Sequence, residues 1–346
     1  MARRGLRPLP APGPAHRLLT GRYHGRLVTT LGKFELLSEL GKGAMGVVYQ
    51  GKDPKIGRVV AIKTMALSEE FSGDDLVDAR ERFFREAETA GRLQHQNIVT
   101  IFDAGEEHDL AYIAMEFLKG RDLTEHTKPG NLLPVTTVIS VASRVALALD
   151  YAHRQQVVHR DIKPANIMYE RDTDTVKVTD FGIARITDSS KTKTGLVLGT
   201  PSFMSPEQLA GKKVDGRSDL YSLGVMLYQM LTGVLPFRGE SMAELMYKIA
   251  NEEAADVRVH RDGLGEPLAA LLKMALSKQP EARYQTGALF SAALLASLPT
   301  AQDGPVLAPG VASPLGGGTV AFERTTAQNQ ADFVSTQVQR GPDVEL

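Results

Sequence analysis

Strand-like and helix-like patterns of apolar residues follow one another in the first third of the chain. Residues 34–40 and 47–52 contain β-branched and aromatic residues without a helical period, so each segment is predicted to be a strand. Residues 59–63 form a third, short apolar strand that ends in a lysine. Residues 78–93 instead place apolar side chains near one helical face, which predicts a helix. The pattern therefore predicts strands followed by one amphipathic helix.

A long apolar segment lies at residues 220–237, where no residue is charged. Its length begins to suggest a membrane span. Gly224, Gln229 and Pro236 interrupt it, and a helix that is apolar on all sides also suits the core of a large domain. We therefore expect a buried central helix here, identify no second segment of this length, and expect no membrane span.

Composition narrows the classes of function. The 346-residue chain has no cysteine, which excludes disulfides and thiolate zinc sites and suits a cytoplasmic protein. A net charge of −1 gives no general reason to expect binding to nucleic acid. The eight histidines show no metal-binding spacing, and we interpret His95 and His153 as packing or surface residues.

The strongest chemical signal is the run HRDIKPAN at residues 159–166, followed by the sequence DFG that begins at Asp180. Phosphoryl transfer needs a residue that orients the acceptor hydroxyl, positive charge beside the phosphate, and hard oxygen ligands for a metal ion. Asp161 suits the first role and Lys163 the second. Asn166 and Asp180 suit Mg²⁺, with Mn²⁺ as the alternative. A solvated loop of charged residues is the competing interpretation, and two motifs in this order disfavour it.

The glycine-rich sequence GKGAMG at residues 41–46 carries the spacing G-x-G-x-x-G. The same glycines also open a dinucleotide-binding turn, in which a helix follows the last glycine. Here both flanks are strand-like, so we predict a hairpin that covers phosphate groups. Lys63 follows as a candidate ligand of the α- and β-phosphates.

Together these motifs resemble the bacterial Hanks-type serine/threonine protein kinases, in particular the PknB-like branch, over about residues 34–298. The resemblance also rests on residues 112–118, 199–207, 217–224 and 280–284. It implies an α+β, bilobal protein-kinase-like fold, with a small antiparallel-sheet N-lobe at residues 31–116 and a mainly helical C-lobe at residues 117–298.

The resemblance implies roles for single residues. Glu86 would orient Lys63, Met115 would be the gatekeeper, and Asp122 would bind the ribose. Asp219 would brace the catalytic loop, and Glu207 would pair with Arg283, whereas Ser205 stands where alanine is commoner. ATP would bind between the lobes and contact Leu40, Gly41, Lys42, Gly43, Ala44, Met45, Gly46, Val48, Ala61, Lys63, Met115, Glu116, Leu118, Asp122 and Met168.

The function implied is ATP-dependent phosphorylation of serine and threonine in protein substrates. The segment after residue 182 is polar and rich in hydroxyl groups, and Thr194, followed by Thr192, is the best counterpart of the family's activating threonine. A phosphate there would attract Arg160 and Arg185. Two alternatives stay open: a pseudokinase scaffold that binds nucleotide without transferring phosphate, and a small-molecule kinase.

Both ends of the chain are expected to be disordered tails. Residues 1–30 contain six arginines, no acidic residue and a proline cluster, so weak attachment to an acidic surface is an alternative. Residues 299–346 are rich in Gly, Pro, Ala, Thr and Gln. Thr319, Thr325 and Thr326 could there be docking sites for a phosphothreonine-binding partner. The resemblance also suggests a homodimer formed by paired N-lobes.

Overall fold

The N-lobe is built on a six-stranded antiparallel sheet. The computed structural model of the chain describes residues 21–23, 26–43, 46–107, 109–181 and 201–298. The spatial order of the strands is β3-β4-β5-β6-β8-β7. Their bounds are β3 Thr30–Leu31, β4 Phe34–Gly43, β5 Gly46–Asp53, β6 Arg58–Met65, β7 Ile101–Glu107 and β8 Leu110–Glu116.

The side chains of strand β6 alternate between two buried clusters, one on each face of this sheet. Val60 and Ile62 lie in the buried cluster on one face, and Met65 lies in the cluster on the other face. The helix α2 (Asp74–Gly91) covers the second face with Phe83 and follows the short helix α1 (Leu67–Glu70). The predicted strands and the predicted helix are therefore confirmed.

The expected disordered tail of residues 1–30 overlaps a short hairpin. Strand β1 (Gly21–Tyr23) pairs antiparallel with β2 (Arg26–Val28), and β3 begins at Thr30. Tyr23 and Val28 in these two strands are residue types that favour extended backbone. Residues 1–20 and the second expected tail, 299–346, lie outside the described residues.

The glycine-rich segment forms the expected hairpin. Strands β4 and β5 pair as far as Gly43 opposite Gly46, and a β-strand, not a helix, follows the last glycine. Gly46 has φ +137°, and a Cβ added there would lie 1.8 Å from the carbonyl oxygen of Thr64. A glycine is therefore required at this position by both backbone conformation and space.

Gly46→Ala is expected to destabilise the folded protein by roughly 1–3 kcal/mol, because the new methyl group must push the backbone of β6 away while the residue keeps an unfavourable φ. The midpoint of urea unfolding measures the change. Gly41→Ala is the matched control, since a Cβ at Gly41 meets no atom within 4 Å. Equal midpoints for the two variants would contradict the prediction.

The C-lobe begins with a small sheet and continues with helices. Its three antiparallel strands run in the order β11-β10-β9. The elements are β9 Arg121–Asp122, α3 Val135–Arg154, β10 Ile167–Glu170, β11 Thr175–Val178, α4 Pro206–Leu209, α5 Gly216–Thr232, α6 Met242–Asn251, α7 Glu266–Ala275 and α8 Gly287–Ala296. Short 3-10 helices lie at Leu123–Thr127, Pro164–Asn166, Pro201–Phe203, Val257–Val259 and Pro280–Ala282.

The apolar segment at residues 220–237 supplies the predicted central helix. Helix α5 is buried along nearly its whole length and packs against α3 and α7. It ends at Gly233, whose φ of +77° is the left-handed conformation that commonly terminates helices.

The expectation that no second apolar segment reaches the length of a membrane span was wrong. Among the described residues, α3 is the helix that is long and apolar enough to cross a membrane. Val138, Val141, Val145 and Leu149 of this helix have no solvent exposure and belong to the core of the C-lobe. The apolar composition of α3 is thus explained by its burial among the other helices, as in α5.

Candidate active site

The loop between α3 and β10 holds the predicted base in a network of short hydrogen bonds. Lys163 Nζ lies 2.7 Å from Asp161 Oδ2. Asn166 Nδ2 donates to the same carboxylate oxygen at 2.9 Å and to the backbone carbonyl of Asp161 at 2.7 Å. The structure therefore brings together three of the residues that the HRDIKPAN motif predicts to act together.

A buried aspartate on α5 holds this loop through hydrogen bonds to its backbone. Asp219 is fully buried and accepts hydrogen bonds from the backbone N–H groups of His159 at 2.8 Å and Arg160 at 2.7 Å. Arg160 has φ +70°, a conformation that costs energy for a residue other than glycine, and the bond from its N–H to Asp219 helps to hold it. The structure thus gives Asp219 the bracing contacts that the resemblance implies.

The third contact of Asp219 was missed by the sequence interpretation. His153 Nε2 lies 2.7 Å from Asp219 Oδ2, so His153 is a partner of the brace and not simply a packing residue. Burial by itself raises the pKa of Asp219, but the hydrogen bond to His153 and the charges of His153 and His159 outweigh burial and hold it below its ordinary value. Gly216 makes room for the imidazole, since a Cβ there would lie 2.4 Å from His153 Nδ1.

Across the cleft, Lys63 pairs with Asp180. The distance from Lys63 Nζ to Asp180 Oδ2 is 2.8 Å, and the two side chains are 13% and 23% exposed. Asp180 has φ +63°, the second strained non-glycine residue of the site. Burial raises the pKa of Asp180, but the charge and hydrogen bond of Lys63, together with the charges of His159 and Lys163, outweigh burial and hold the pKa below its ordinary value. The carboxylate that is expected to bind a metal ion is therefore ionised.

The resemblance names Glu86, not Asp180, as the partner of Lys63. Glu86 is buried on α2, while Glu88 is exposed and pairs with Arg92, so the two glutamates face different directions as predicted. The ion pair that the structure shows for Lys63 is nevertheless the one with Asp180. Opposite charges at this distance, largely withdrawn from water, stabilise each other strongly.

A cavity of about 680 Å³ opens between the lobes next to this pair. Its inner part is apolar: Ala61, Val99 and Met115 form a buried cluster against which Val48 and Leu118 pack. Such a slot suits a flat, aromatic ring. Of the predicted contacts, the cavity is lined by Leu40, Gly41, Val48, Ala61, Lys63, Met115, Glu116, Leu118, Asp122 and Met168.

Two of the predicted contacts, Lys42 and Gly46, are not among the described residues that line the cavity. Lys42 is exposed on the hairpin, and Gly46 packs against Thr64. Outside the described residues lie two further predicted contacts, Ala44 and Met45, and the two predicted phosphorylation sites, Thr192 and Thr194. The surroundings of Gly43 also lie outside the part of the structure that is described. Asp122 lines the cavity but also caps the following 3-10 helix, with Oδ1 accepting from Thr124 N at 2.8 Å. Lining residues that the sequence interpretation missed are Val99, Phe117, Lys119, Gly120, Arg121, Thr124, Glu125, Ala165 and Thr179.

The donor set fits a divalent metal that is shared with a phosphate-bearing ligand. Asn166 and Asp180 offer an amide oxygen and an ionised carboxylate, which are the ligands that hard cations prefer. No cluster of three or more His, Cys, Asp or Glu side chains in the described parts of the chain could hold a metal by itself. A divalent metal held by two protein ligands can complete its shell with water and substrate phosphates.

Below the cleft, the segment that begins at Pro201 is anchored by a buried ion pair. Arg283 donates to both carboxylate oxygens of Glu207 at 2.7 and 2.8 Å, as the resemblance implies. Ser205, at the position where the resemblance implies that alanine is commoner, forms a capping box with Gln208 at the start of α4. The pattern S-x-x-Q at residues 205–208 is a readable helix-start signal that the sequence interpretation did not use.

The whole arrangement can be compared with known proteins. The family model described as the protein kinase domain matches residues 34–294. The chain belongs to the protein kinase family. This kinase domain covers most of the described residues, and the predicted bilobal fold is that of the family.

Curated relatives carry a narrower description. A probable serine/threonine-protein kinase of Clostridium perfringens is 39% identical over 255 residues, which are 73% of this chain and 36% of that protein. Serine/threonine-protein kinase PknB of Mycobacterium tuberculosis is 41% identical over 277 residues, which are 76% of this chain and 42% of PknB. The chain thus spans less than half the length of these relatives.

A solved structure agrees with the kinase fold. The kinase domain of Mycobacterium tuberculosis PknI is 29% identical, with a TM-score of 0.64, and the match covers 79% of this chain and all of that domain. The sequence resemblance to the PknB-like branch is therefore confirmed by the curated relatives and by the fold.

Proposed function

We propose that this kinase domain transfers the γ-phosphate of ATP to serine and threonine hydroxyls of proteins. The observation that carries the proposal is that the loop holding Asp161, Lys163 and Asn166 lies beside the Lys63–Asp180 pair, since the backbone N–H of Thr179 donates to the carbonyl oxygen of Asn166 at 2.9 Å. The names of the curated relatives, which are serine/threonine-protein kinases, support the choice of acceptor.

Each residue has a role that follows from its surroundings. Asp161 lies where it can accept a hydrogen bond from the acceptor hydroxyl and take up its proton. Lys163, 2.7 Å from Asp161, adds positive charge beside the transferred phosphate. Lys63 holds the phosphates of ATP, and the apolar slot around Met115 holds the adenine. Mg²⁺ would be held by Asn166 and Asp180 and would neutralise phosphate charge.

Three functions are separated by one set of assays. Wild-type protein is incubated with ATP, Mg²⁺ and either a mixture of serine, threonine and tyrosine peptides or small alcohols. A serine/threonine kinase gives phosphoserine and phosphothreonine, and dominant phosphotyrosine would overturn the specificity. Phosphorylation of the alcohols alone would favour a small-molecule kinase. ATP binding without any transfer would favour a pseudokinase scaffold.

We also propose that the domain phosphorylates its own segment between residues 182 and 200. Thr192→Ala/Thr194→Ala is expected to lower both phosphate incorporation and activity toward a peptide, because a phosphate there would supply about −1.5 to −2 charge for nearby arginines. Mass spectrometry after incubation with ATP locates the phosphate. Ser189→Ala/Ser190→Ala removes two hydroxyls from the same segment and is the control. Equal activity and phosphate content in the two double variants would contradict the proposal.

A further inference from the structure

We infer that Lys177 is a positioning residue for ATP: it fixes the adenine-binding hinge to the floor of the cleft through Glu116. The inference rests on the proposed function. Lys177 lies on β11, and its Nζ is 2.8 Å from Glu116 Oε2 at the end of β8. Nothing in the catalytic motifs accounts for this ion pair, since it lies on neither HRDIKPAN nor the glycine-rich hairpin.

The ion pair joins three segments. The Glu116 carboxylate also accepts from the backbone N–H of Thr100 at 3.3 Å, and Glu116 N donates back to Thr100 O at 2.9 Å. Lys177 Nζ lies 3.4 Å from the carbonyl oxygen of Ile98 as well. The contacts therefore tie the hinge end of β8 and the residues before β7 to β11 of the C-lobe.

The position of Lys177 in β11 links these contacts to nucleotide binding. Across the small sheet Lys177 is paired with Met168, which lines the cavity for the adenine. Three residues later the chain reaches Asp180, the candidate metal ligand. Glu116 itself also lines the same cavity. One ion pair thus sets the distance between the hinge wall and the floor of the slot.

Because the Lys177–Glu116 pair is largely withdrawn from water, it is expected to hold its two side chains more firmly than a typical surface ion pair does. Exposed pairs contribute little, because water screens the charges and the side chains lose freedom. The Lys177 side chain is only 13% exposed, and that of Glu116 is 31% exposed. A lysine this withdrawn from water, paired with a carboxylate that a backbone N–H also holds, keeps one geometry. Fixed geometry around a slot is what preorganises it for a rigid ligand.

The test measures ATP affinity directly. Lys177→Met keeps most of the side-chain volume and removes the charge, and we expect the Kd for ATP to rise about fivefold, the lower end of typical coupling between sites. The KM for ATP should rise in parallel, while the KM for the peptide substrate stays within twofold. Asp174→Asn is the matched control: it breaks the ion pair of Asp174 with Arg144 beside the same strand, away from the hinge.

Two further variants separate positioning from general damage. Lys177→Arg restores the charge and should recover ATP affinity, whereas Glu116→Gln should weaken it and add nothing in combination with Lys177→Met. An unchanged Kd in Lys177→Met, or an equal loss in Asp174→Asn, would overturn the inference. Failure of the wild-type protein to bind ATP would instead overturn the proposed function, so the two failures are distinguishable.

Discussion

Asp161→Asn is expected to lower kcat for phosphoryl transfer by about 10²–10⁴-fold, the contribution typical of a positioned acid–base group. The substituted amide has the shape of the carboxylate, and its oxygen can still accept from Lys163 and Asn166, which lie 2.7 and 2.9 Å from Asp161 Oδ2. It cannot, however, take up the proton of the acceptor hydroxyl. The loss should therefore fall on the chemical step and not on the fold.

Initial rates with a serine/threonine peptide at saturating ATP give the size of this loss, and calorimetry gives the Kd for ATP. The Kd should change little, because the apolar slot and Lys63 are untouched. Asp172→Asn is the control, since it makes the same chemical change on an exposed turn. Wild-type rates in the Asp161 variant would show that another group accepts the proton.

Arg283→Met is expected to destabilise the folded protein by about 3–5 kcal/mol, the usual cost of removing one partner of a buried ion pair. The Arg283 side chain has no solvent exposure and donates to both oxygens of Glu207 and to the carbonyl groups of Ser277 and Lys278. Burial raises the pKa of Glu207, but the hydrogen bonds from Arg283 and Ser218 together with the charge of Arg283 outweigh burial and keep the pKa below its ordinary value. Methionine fills the volume but leaves that carboxylate without its counterion.

Urea unfolding of wild type and variant measures the change. Arg258→Met is the control, because Arg258 pairs with Asp256 and Glu266 at the surface and its loss should move the midpoint little. Adding Glu207→Gln to Arg283→Met should recover part of the stability, because it removes the unpaired charge. Equal midpoints for Arg283→Met and Arg258→Met would contradict this view of the pair.

The parts of the site that are contiguous in sequence could be predicted from it. The hairpin follows from strand-like flanks on both sides of the glycines, and the meeting of Asp161, Lys163 and Asn166 follows from their places in one short loop. The contacts of Asp219 with the catalytic loop and the pair of Glu207 with Arg283 came from the family resemblance alone. Their partners lie 59 to 76 residues apart, and no local pattern encodes such a distance.

What the sequence did not reveal depends on where distant elements meet. His153 is part of no recognisable sequence motif. Its bond to Asp219 depends on the packing of α3 beside α5, which the sequence does not show directly. The pair of Lys63 with Asp180, whose backbone has φ +63°, joins residues 117 positions apart, and the sequence DFG specifies neither the pairing nor that conformation. Thr179 and Ala165 line the cavity because they are adjacent in sequence to Asp180 and Asn166. Their own side chains give no chemical signal.

The capping box of Ser205 and Gln208 has an evolutionary consequence. The amide of Gln208 serves two partners: its oxygen accepts from Ser205, and its nitrogen donates to the carbonyl of Arg160 at 2.9 Å. Replacing Ser205 with alanine would remove the hydroxyl bonds and leave the Gln208 oxygen only the backbone N–H of residue 205, so the glutamine side chain would be held less firmly against the catalytic loop. Selection should therefore act on the two positions jointly, so that lineages with alanine at 205 also diverge at 208, and the two residues should be inherited as a pair.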